Sequence, residues 1–532
     1  MVSIMQTTPL ISALANPRAY AHPVDSVDVI ETHISWVLLA GNYAYKIKKP
    51  VKLAFVDFSD LAARRAFCED ELRLNRRLAP QVYLEVATIT GTPDAPRIGG
   101  DGPALEYAVC MRRFDQNDMF SELARRDALE PGLIDALATR IADFHARAEV
   151  VTSDSTLGAP EAVLQPALDN FCEMAEHAGP ERATQLDALE DWTRAAYARL
   201  EPLLAARQRD GFVRDCHGDL HLGNIARING EAVPFDCLEF STELRSIDVI
   251  NEVAFLVMDL MDRGRAELGF RFLDRYLQIT GDYPGIRLLR FYIVYRALVR
   301  AKIHDLRARQ AADQDDSDEA ARLQSAADHY LALARDTAEG ARPALLLMHG
   351  FSASGKSSVA AGLVERLGAI RLRSDVERKR LFGLDAREDS QAEPGAGIYD
   401  HNAGARTYAH LAERARELLA AGYPTVIDAA FLDRAQRQPM QALAADLGVP
   451  LRIVNCSAPA DTLRARLQAR AAKGRDPSDA TQAVLERQLK SQEPFTADEM
   501  PAVVNCPMDG DKDDNTRTCA ERVAALLESG VS

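Results

Sequence analysis

Two short stretches hold most of the residues whose types and spacing could do chemistry. In "HGDLHLGN" (217–224), His217 and His221 stand four apart and Asp219 and Asn224 five apart, and "VPFDCLEF" (233–240) supplies Asp236 shortly afterwards. Two imidazoles four apart on a helix would grip one zinc ion. Gly218 and Gly223 interrupt any helix here, and no third His, Glu or Cys follows at ligand spacing. The carboxylates and the amide fit a different chemistry. In an H-x-D-L-x-x-x-N segment Asp219 takes the proton of an attacking hydroxyl, while Asn224 and a later acid after a short strand, Asp236, hold Mg²⁺ against a phosphate chain. His217 then braces the loop, and His221 braces it too or faces the acceptor.

The second stretch, "GFSASGKS" (350–357), fits G-x-x-x-x-G-K-[ST] between an apolar run and a helical one. Gly350 and Gly355 let the backbone amides of Ser352, Ala353, Ser354 and Ser358 turn toward phosphate oxygens. Lys356 reaches the β and γ phosphates, and Ser357 offers its hydroxyl to Mg²⁺. Asp428, at the end of "TVID", is placed as a second Mg²⁺ ligand, against the alternative of a helix cap. In "RSDVERKR" (373–380) Asp375 is a candidate base and Arg378, one turn on, a holder of an anionic substrate group. Arg466 and Arg470, four apart in "LRARLQARAAKGRDPSDA", with Arg475 beyond them, read as a basic lid over the transferring phosphate.

These residues need elements to position them. The first 120 residues alternate as short strands, "SWVLLA" (35–40), "YAYKIKK" (43–49), "QVYLEVATI" (81–89) and "LEYAVCMRRF" (105–114), around one helical stretch at 59–79. That is an antiparallel α+β lobe. Lys46 and Lys48 share one face of their strand, and Glu69 and Glu71 lie on the helix. Lys46 with Glu71 is the pair expected to hold nucleotide phosphates. Residues 120–340 read as helical apart from the two stretches around Asp219 and Asp236. Beyond "DTAEGARP" (336–343) apolar strands alternate with helices, which predicts a parallel sheet covered on both faces. The expected domains are 1–338 and 343–532.

Residues 344–507 resemble the small-molecule and polynucleotide kinase branch of P-loop proteins, on "GFSASGKS", "SDVERKR", "VIDAAF" and the arginine-rich segment. Residues 25–335 resemble the aminoglycoside-phosphotransferase-like kinases, on "HGDLHLGN" and "FDCLEF". The whole is similar to uncharacterised bacterial fusions of those two domain types. The resemblance implies a bilobal protein-kinase-like fold followed by a P-loop NTPase fold. It also implies Asp219 as base, Asn224 and Asp236 as metal ligands, and 105–114 as the strand leading to an adenine-contacting hinge. The chain departs from the pattern twice: it has no glycine-rich loop, only Gly41 in "LLAGNY", and Cys237 stands where protein kinases carry the Phe of D-F-G.

The composition bounds the rest. With 532 residues, 47% apolar and 27% charged, the chain is a globular protein of at least two domains. A formal charge of -16 argues against extended binding of nucleic acid or an anionic membrane. The eight cysteines are scattered without C-x-x-C, which predicts reduced thiols and a cytoplasmic location. The expected cofactors are ATP and Mg²⁺, with GTP an alternative in the C-terminal half, and the expected acceptor is a small-molecule hydroxyl. Two rivals stand beside this reading: a nucleotide-binding regulator with one inactive half, and a polynucleotide-end kinase in the C-terminal half.

Overall fold

The computed structural model describes residues 9–53, 56–384, 401–471 and 481–529. It divides into two compact units, Met1–Gln165 with Glu201–Asp259, and Pro166–Leu200 with Leu260–Ser532. Where the sequence suggests a boundary near 338–343, packing groups the helices from residue 260 onward with the C-terminal sheet.

In the first unit, strands β1 (Val27–Glu31), β2 (Ser35–Ala40), β3 (Tyr43–Lys48), β4 (Tyr83–Thr92), β5 (Ala95–Ile98) and β6 (Glu106–Arg112) form one antiparallel sheet, ordered β1-β2-β3-β6-β4-β5. Period-two alternation sorts β3. Tyr45 and Ile47 join Trp36 and Leu38 under the N-terminal residues Ile11, Leu14 and Tyr20, whereas Ala44 packs with Cys68, Val109 and Met111 on the other face. Lys46 and Lys48 share the face of Ala44. Helix α1 (Leu61–Asn75), capped by the Asp60 carboxylate on Ala63 N–H, lies against that face and buries Cys68, Glu71 and Leu74. The turn between β1 and β2, Thr32–Ile34, contains no glycine.

Helix α2 (Pro131–Arg147) follows, and then α3 (Pro160–Ala175) and α4 (Pro180–Arg209), whose residues 166–200 belong to the second unit. Strand β7 (Val213–Asp215) pairs with β10 (Ser246–Asp248), and between them β8 (Ile225–Ile228) and β9 (Glu231–Pro234) make a hairpin. "HGDLHLGN" is the non-helical link into β8, and "DCLEF" the exit from β9. Helix α5 (Val249–Asp262) then runs behind both. A β-rich lobe with helix α1 against its sheet, followed by a helical lobe carrying these loops, is the bilobal protein-kinase-like fold.

The second unit contains helices α6 (Ala266–Thr280), α7 (Ile286–Asp313) and α8 (Ser317–Glu339), then a sheet whose five strands are all parallel. These are β11 (Leu345–His349), β12 (Ile370–Arg373), β13 (Thr425–Asp428), β14 (Leu451–Ser457) and β15 (Val503–Pro507), ordered β12-β13-β11-β14-β15. The connecting helices are α9 (Lys356–Leu367), α10 (Ser374–Leu381), α11 (His401–Ala420), α12 (Arg434–Leu447), α13 (Ala460–Ala471), α14 (Gln482–Ser491) and α15 (Lys512–Glu528). Leu346, Met348, Val426, Val454 and Val504 pack with Val359, Leu363 and Val523 as the core. This is the P-loop NTPase fold, with the phosphate loop leaving the central strand.

The expectation of eight reduced thiols needs correction. Cys506 on β15 and Cys519 on α15 form a disulfide, their Cα atoms 5.7 Å apart, and the other six cysteines are free. Helix α15 folding back over its own strand creates this pairing, which a spacing of 13 residues does not announce. Among the described residues no helix is long and apolar enough to cross a membrane.

Behind the phosphate loop, Arg437 of α12 and Glu499 form an ion pair with neither side chain exposed, Nε to Oε1 2.7 Å. Arg437 also donates to the Phe431 and Leu432 carbonyls at 3.1 and 3.0 Å. The segment so tied carries Phe495, whose ring packs on His349 at 4.5 Å, directly before Gly350. Glu499→Gln leaves the Arg437 charge buried without its counterion, so chemical denaturation should read a loss of about 3–5 kcal/mol at pH 7. Burial opposes the Glu499 charge, but hydrogen bonds from Arg437 and Thr496 hold its pKa down to about 2. This stabilisation is therefore complete above the ordinary carboxylate range, about pH 4.5, and fades as pH falls toward 2, where wild type and variant should converge.

Candidate active sites

The first site is built around a buried charge cluster. Lys46 Nζ lies 2.8 Å from Glu71 Oε1 and 2.5 Å from Asp236 Oδ1. Lys48 Nζ lies 2.7 Å from Glu71 Oε2 and also pairs with Glu239. Sequence reasoning selected Lys46 and set Lys48 aside; in the structure both ammoniums meet Glu71, and they differ in their second partner. Burial opposes the Lys46 charge, but Asp236, Glu71 and Glu239 outweigh it and hold its pKa well above the ordinary range. Burial likewise opposes the Glu71 charge, and the two lysines bring that carboxyl down to about 2. Glu239 is pushed up, by burial first and by Glu71 beside it. Glu69 stays outside the cluster, paired with Arg65 on the exposed side of α1.

Asp236 sits at φ 61°, its N–H donating to the Tyr83 hydroxyl at 3.1 Å. The next residue, Cys237, donates its N–H to Asn75 Oδ1 at 2.8 Å, which fixes the Asp236 turn to the end of α1. Asn224 Nδ2 donates to Asp219 Oδ2 at 2.9 Å and to the Asp219 carbonyl at 3.0 Å. The Phe235 N–H donates to the Asn224 carbonyl at 2.9 Å. Asp219, Asn224 and Asp236 thus share one backbone network, and the Asp219 and Asp236 side chains are 33% and 41% exposed, open to solvent.

Both histidines of the opening stretch are committed to the loop. His217 Nδ1 accepts from the Asp219 N–H at 3.3 Å and Nε2 donates to the Phe235 carbonyl at 2.9 Å, so one ring braces both the Asp219 and the Asp236 segments. Burial lowers its pKa and keeps it neutral. His221 Nδ1 accepts from Gly223 N–H at 3.0 Å, which puts its proton on Nε2, 3.4 Å from Asp219 Oδ2. No zinc pair assembles from these two rings. Sequence reasoning missed the group beneath them. Glu252 of α5, fully buried, accepts from the N–H of His217 and of Gly218 at 2.6 and 2.8 Å through Oε1 and meets His145 Nε2 at 2.6 Å through Oε2. Asp259, one helical stretch on, accepts from Leu222 N–H at 2.8 Å. Acids on a helix ordinarily read as a solvated face, so neither carried a signal.

Near the end of β6 a cavity of about 490 Å³ is lined by Gly41, Asn42, Arg113, Phe114, Asp115 and Gln116. It adjoins the segment expected to contact adenine.

The second site is the phosphate loop. Gly350, Ala353 and Gly355 take φ of 137°, 64° and 98°, the left-handed backbone that bends the loop into the head of α9. A Cβ at Gly350 would collide with the Cys456 carbonyl, so glycine is required there. Lys356 opens α9 and arches back to the Phe351 carbonyl at 2.7 Å. Ser357 Oγ is 3.3 Å from Asp428 Oδ1, and Asp428 Oδ2 is a buried oxygen with no hydrogen-bond partner. A hydroxyl and a carboxylate converging with one oxygen left over fit an Mg²⁺ ion with a phosphate oxygen. Asp428 is no helix cap, because Asp433 caps α12 with a capping box. Ser354 is buried, Ser358 lies in the first turn of α9, and Ser352 N–H is held by Gln488 Oε1 at 2.9 Å, a partner the sequence did not reveal.

Asp375 sits inside the first turn of α10, whose N-cap is Arg373, so it too is no cap; Arg378 Nη1 lies 3.9 Å from its Oδ1. Arg466 donates to the Met508 carbonyl at 2.7 Å and reaches the Ala353 carbonyl at 3.5 Å, beside the loop. The side chain of Arg470 and all of Arg475 lie outside the described residues.

Residues 345–495 match a family described as an AAA domain. Over 467 residues the chain is 33% identical to the uncharacterized proteins Rv2004c of Mycobacterium tuberculosis and Mb2027c of Mycobacterium bovis, covering 87% of this chain and 90% of each relative. Among solved structures it is similar to a choline/ethanolamine kinase family protein from Mesorhizobium loti, 14% identical over 62% of this chain and 98% of that one, TM-score 0.36. It is also similar to a gluconokinase from Sinorhizobium meliloti 1021, 20% identical over 36% of this chain and 96% of that one, TM-score 0.26.

The two lysines separate by experiment. Lys48→Met strands the buried Glu239 and should cost about 3–5 kcal/mol in urea denaturation. Lys46→Met strands Asp236, which water reaches, while Lys48 still neutralises Glu71, so its cost should be clearly smaller. Equal losses would refute this division.

Proposed function

For a chain that belongs to the family of the uncharacterized mycobacterial proteins Rv2004c and Mb2027c, we propose a two-site ATP-dependent phosphotransferase acting on hydroxyl groups of small molecules. The observation that carries this reading is the convergence on Asp236 and Glu71: Lys46, 190 residues before Asp236 in sequence, brings its ammonium to 2.5 Å from that carboxylate. Such a cation between a helix glutamate and a loop acid supports the α/β-phosphate contact of a kinase lobe.

In the first site Asp219 accepts the proton of the acceptor hydroxyl as its oxygen attacks the γ-phosphorus and the bond to the bridging oxygen breaks, releasing ADP. Lys46 holds phosphate oxygens, Asn224 and Asp236 would hold Mg²⁺, and the Gly41–Gln116 cavity would take the base. In the second site the loop amides of 350–358 and Lys356 cradle the phosphates of ATP or GTP, Ser357 and Asp428 would hold Mg²⁺, Arg466 covers the transferring group, Asp375 serves as base and Arg378 binds an anionic acceptor. Mg²⁺, when bound, neutralises and orients the phosphates. A requirement for ATP fits a cytoplasmic site of action.

Two variants of the full chain test this. Asp219→Asn keeps shape and hydrogen bonding but removes the proton acceptor, so label transfer from γ-labelled ATP to a metabolite extract through the first site should fall by about 10²–10⁴-fold with folding intact. Lys356→Ala should remove one of two nucleotide-binding events in calorimetry. Undiminished transfer in the first variant, or two unchanged events in the second, would refute the corresponding site.

A further inference from the structure

The phosphate-loop site leans on a helix that precedes it by some eighty residues. Asp274 of α6 takes a two-pronged contact from Arg371 of β12, Nε to Oδ1 3.1 Å and Nη2 to Oδ2 2.6 Å. The remaining nitrogen of Arg371, Nη1, donates to the Ser357 carbonyl at 3.1 Å and stands 3.9 Å from Asp428 Oδ2. One turn along α6, Gln278 donates to Asp274 Oδ2 at 2.6 Å and accepts from Arg373 Nη1 at 3.1 Å. Arg373 in turn holds its Nε 3.6 Å from the same Asp428 Oδ2. The Gln278 carbonyl accepts from Arg380 at 3.0 Å, on the helix that carries Asp375 and Arg378. Tyr283, just past α6, donates its hydroxyl to the Arg371 carbonyl at 3.2 Å.

A buried guanidinium must have a counterion. Arg371 is 8% exposed and its nearest carboxylates are Asp274 and Asp428. Asp428 cannot both neutralise Arg371 at contact distance and spend its free oxygen on a cation. Resting on the reading of Ser357 and Asp428 as an Mg²⁺-nucleotide site, we propose that Asp274 is a positioning residue of that site: it draws Arg371 off Asp428 and so leaves Asp428 Oδ2 available to the metal. Gln278 does the same for Arg373. The working phosphate-loop unit therefore begins near residue 260, and cutting the chain at 338–343 would sever it from its own support.

The test is made on the full chain with a fluorescent ATP analogue, measured with Mg²⁺ and again with EDTA, counting only the binding that Lys356→Ala removes. Without Asp274 to hold it, Arg371 closes on Asp428. Asp274→Asn should weaken binding in Mg²⁺ by about 10–100-fold, the usual cost of losing a group that orients a metal ligand, and leave binding in EDTA unchanged. The double variant Asp274→Asn/Arg371→Gln should recover most of the Mg²⁺ effect, because the competitor for Asp428 is gone; a structural defect would only deepen. Should Asp274→Asn not fold, Gln278→Leu, which keeps every charge, decides the matter with a several-fold shift in the same direction. Unshifted affinity in Mg²⁺, an equal loss in EDTA, or no recovery in the double variant overturns the inference alone. If Lys356→Ala removes no binding at all, the reading of the phosphate loop falls and the inference with it.

Discussion

Both candidate sites of this protein depend on how charge is kept out of water. A carboxylate or ammonium moved into a protein interior loses hydration worth several kcal/mol, which only an opposite charge at hydrogen-bond distance restores. The first site meets that demand with two lysines shared among Glu71, Asp236 and Glu239. The second meets it with Asp274, Arg371, Arg373 and Asp428. In the second, Asp428 Oδ2 is left without a hydrogen-bond partner.

The loops between these charges obey the parallel rule for backbone. Buried N–H groups must be paired. At 217–224, Glu252 and Asp259 accept from three of them, and His217 ties the Asp219 and Asp236 segments through a single ring. At 350–358 several donors are likewise used from within: the Gly350 N–H pairs with the Ala430 carbonyl, the Ser352 N–H with Gln488 Oε1 and the Ser354 N–H with the Phe351 carbonyl. Positive φ at Gly350, Ala353 and Gly355 bends that loop into the head of α9.

On the proposed reading the two sites solve one problem with different economies of chain. Phosphoryl transfer needs a cation on the phosphates, oxygens for a metal and a base near the acceptor. The phosphate loop collects the cation and one metal ligand within eight residues. The kinase-like lobe gathers its cation from β3, its counterion from α1 and its acids from loops more than 170 residues further on, using a sheet and a helix as the jig. That difference decides what can be read before folding.

Contiguous chemistry was legible from the amino-acid sequence. "GFSASGKS", "HGDLHLGN" and "VPFDC" stand out by spacing alone, and strand and helix periodicity located both folds around them. Period two puts Lys46 and Lys48 on one face; the sequence reading settled on Lys46, whereas packing brings both ammoniums to Glu71. Which of them reaches Asp236 and which Glu239 depends on where β9's exit lies against α1, a matter of packing. Glu252, Asp259, Asp274, Gln278 and Gln488 left no trace at all. Polar residues on helices look solvated in sequence, and these act only because a tertiary neighbour buries them or hands them a donor from a distant element. The Cys506–Cys519 bond arises likewise from α15 lying on its own sheet. The sequence alone determined the groups whose partners lie within one loop or one strand period; the tertiary structure decided every pairing between elements, because burial, which sets the cost of an unpaired charge, exists only after the elements have packed.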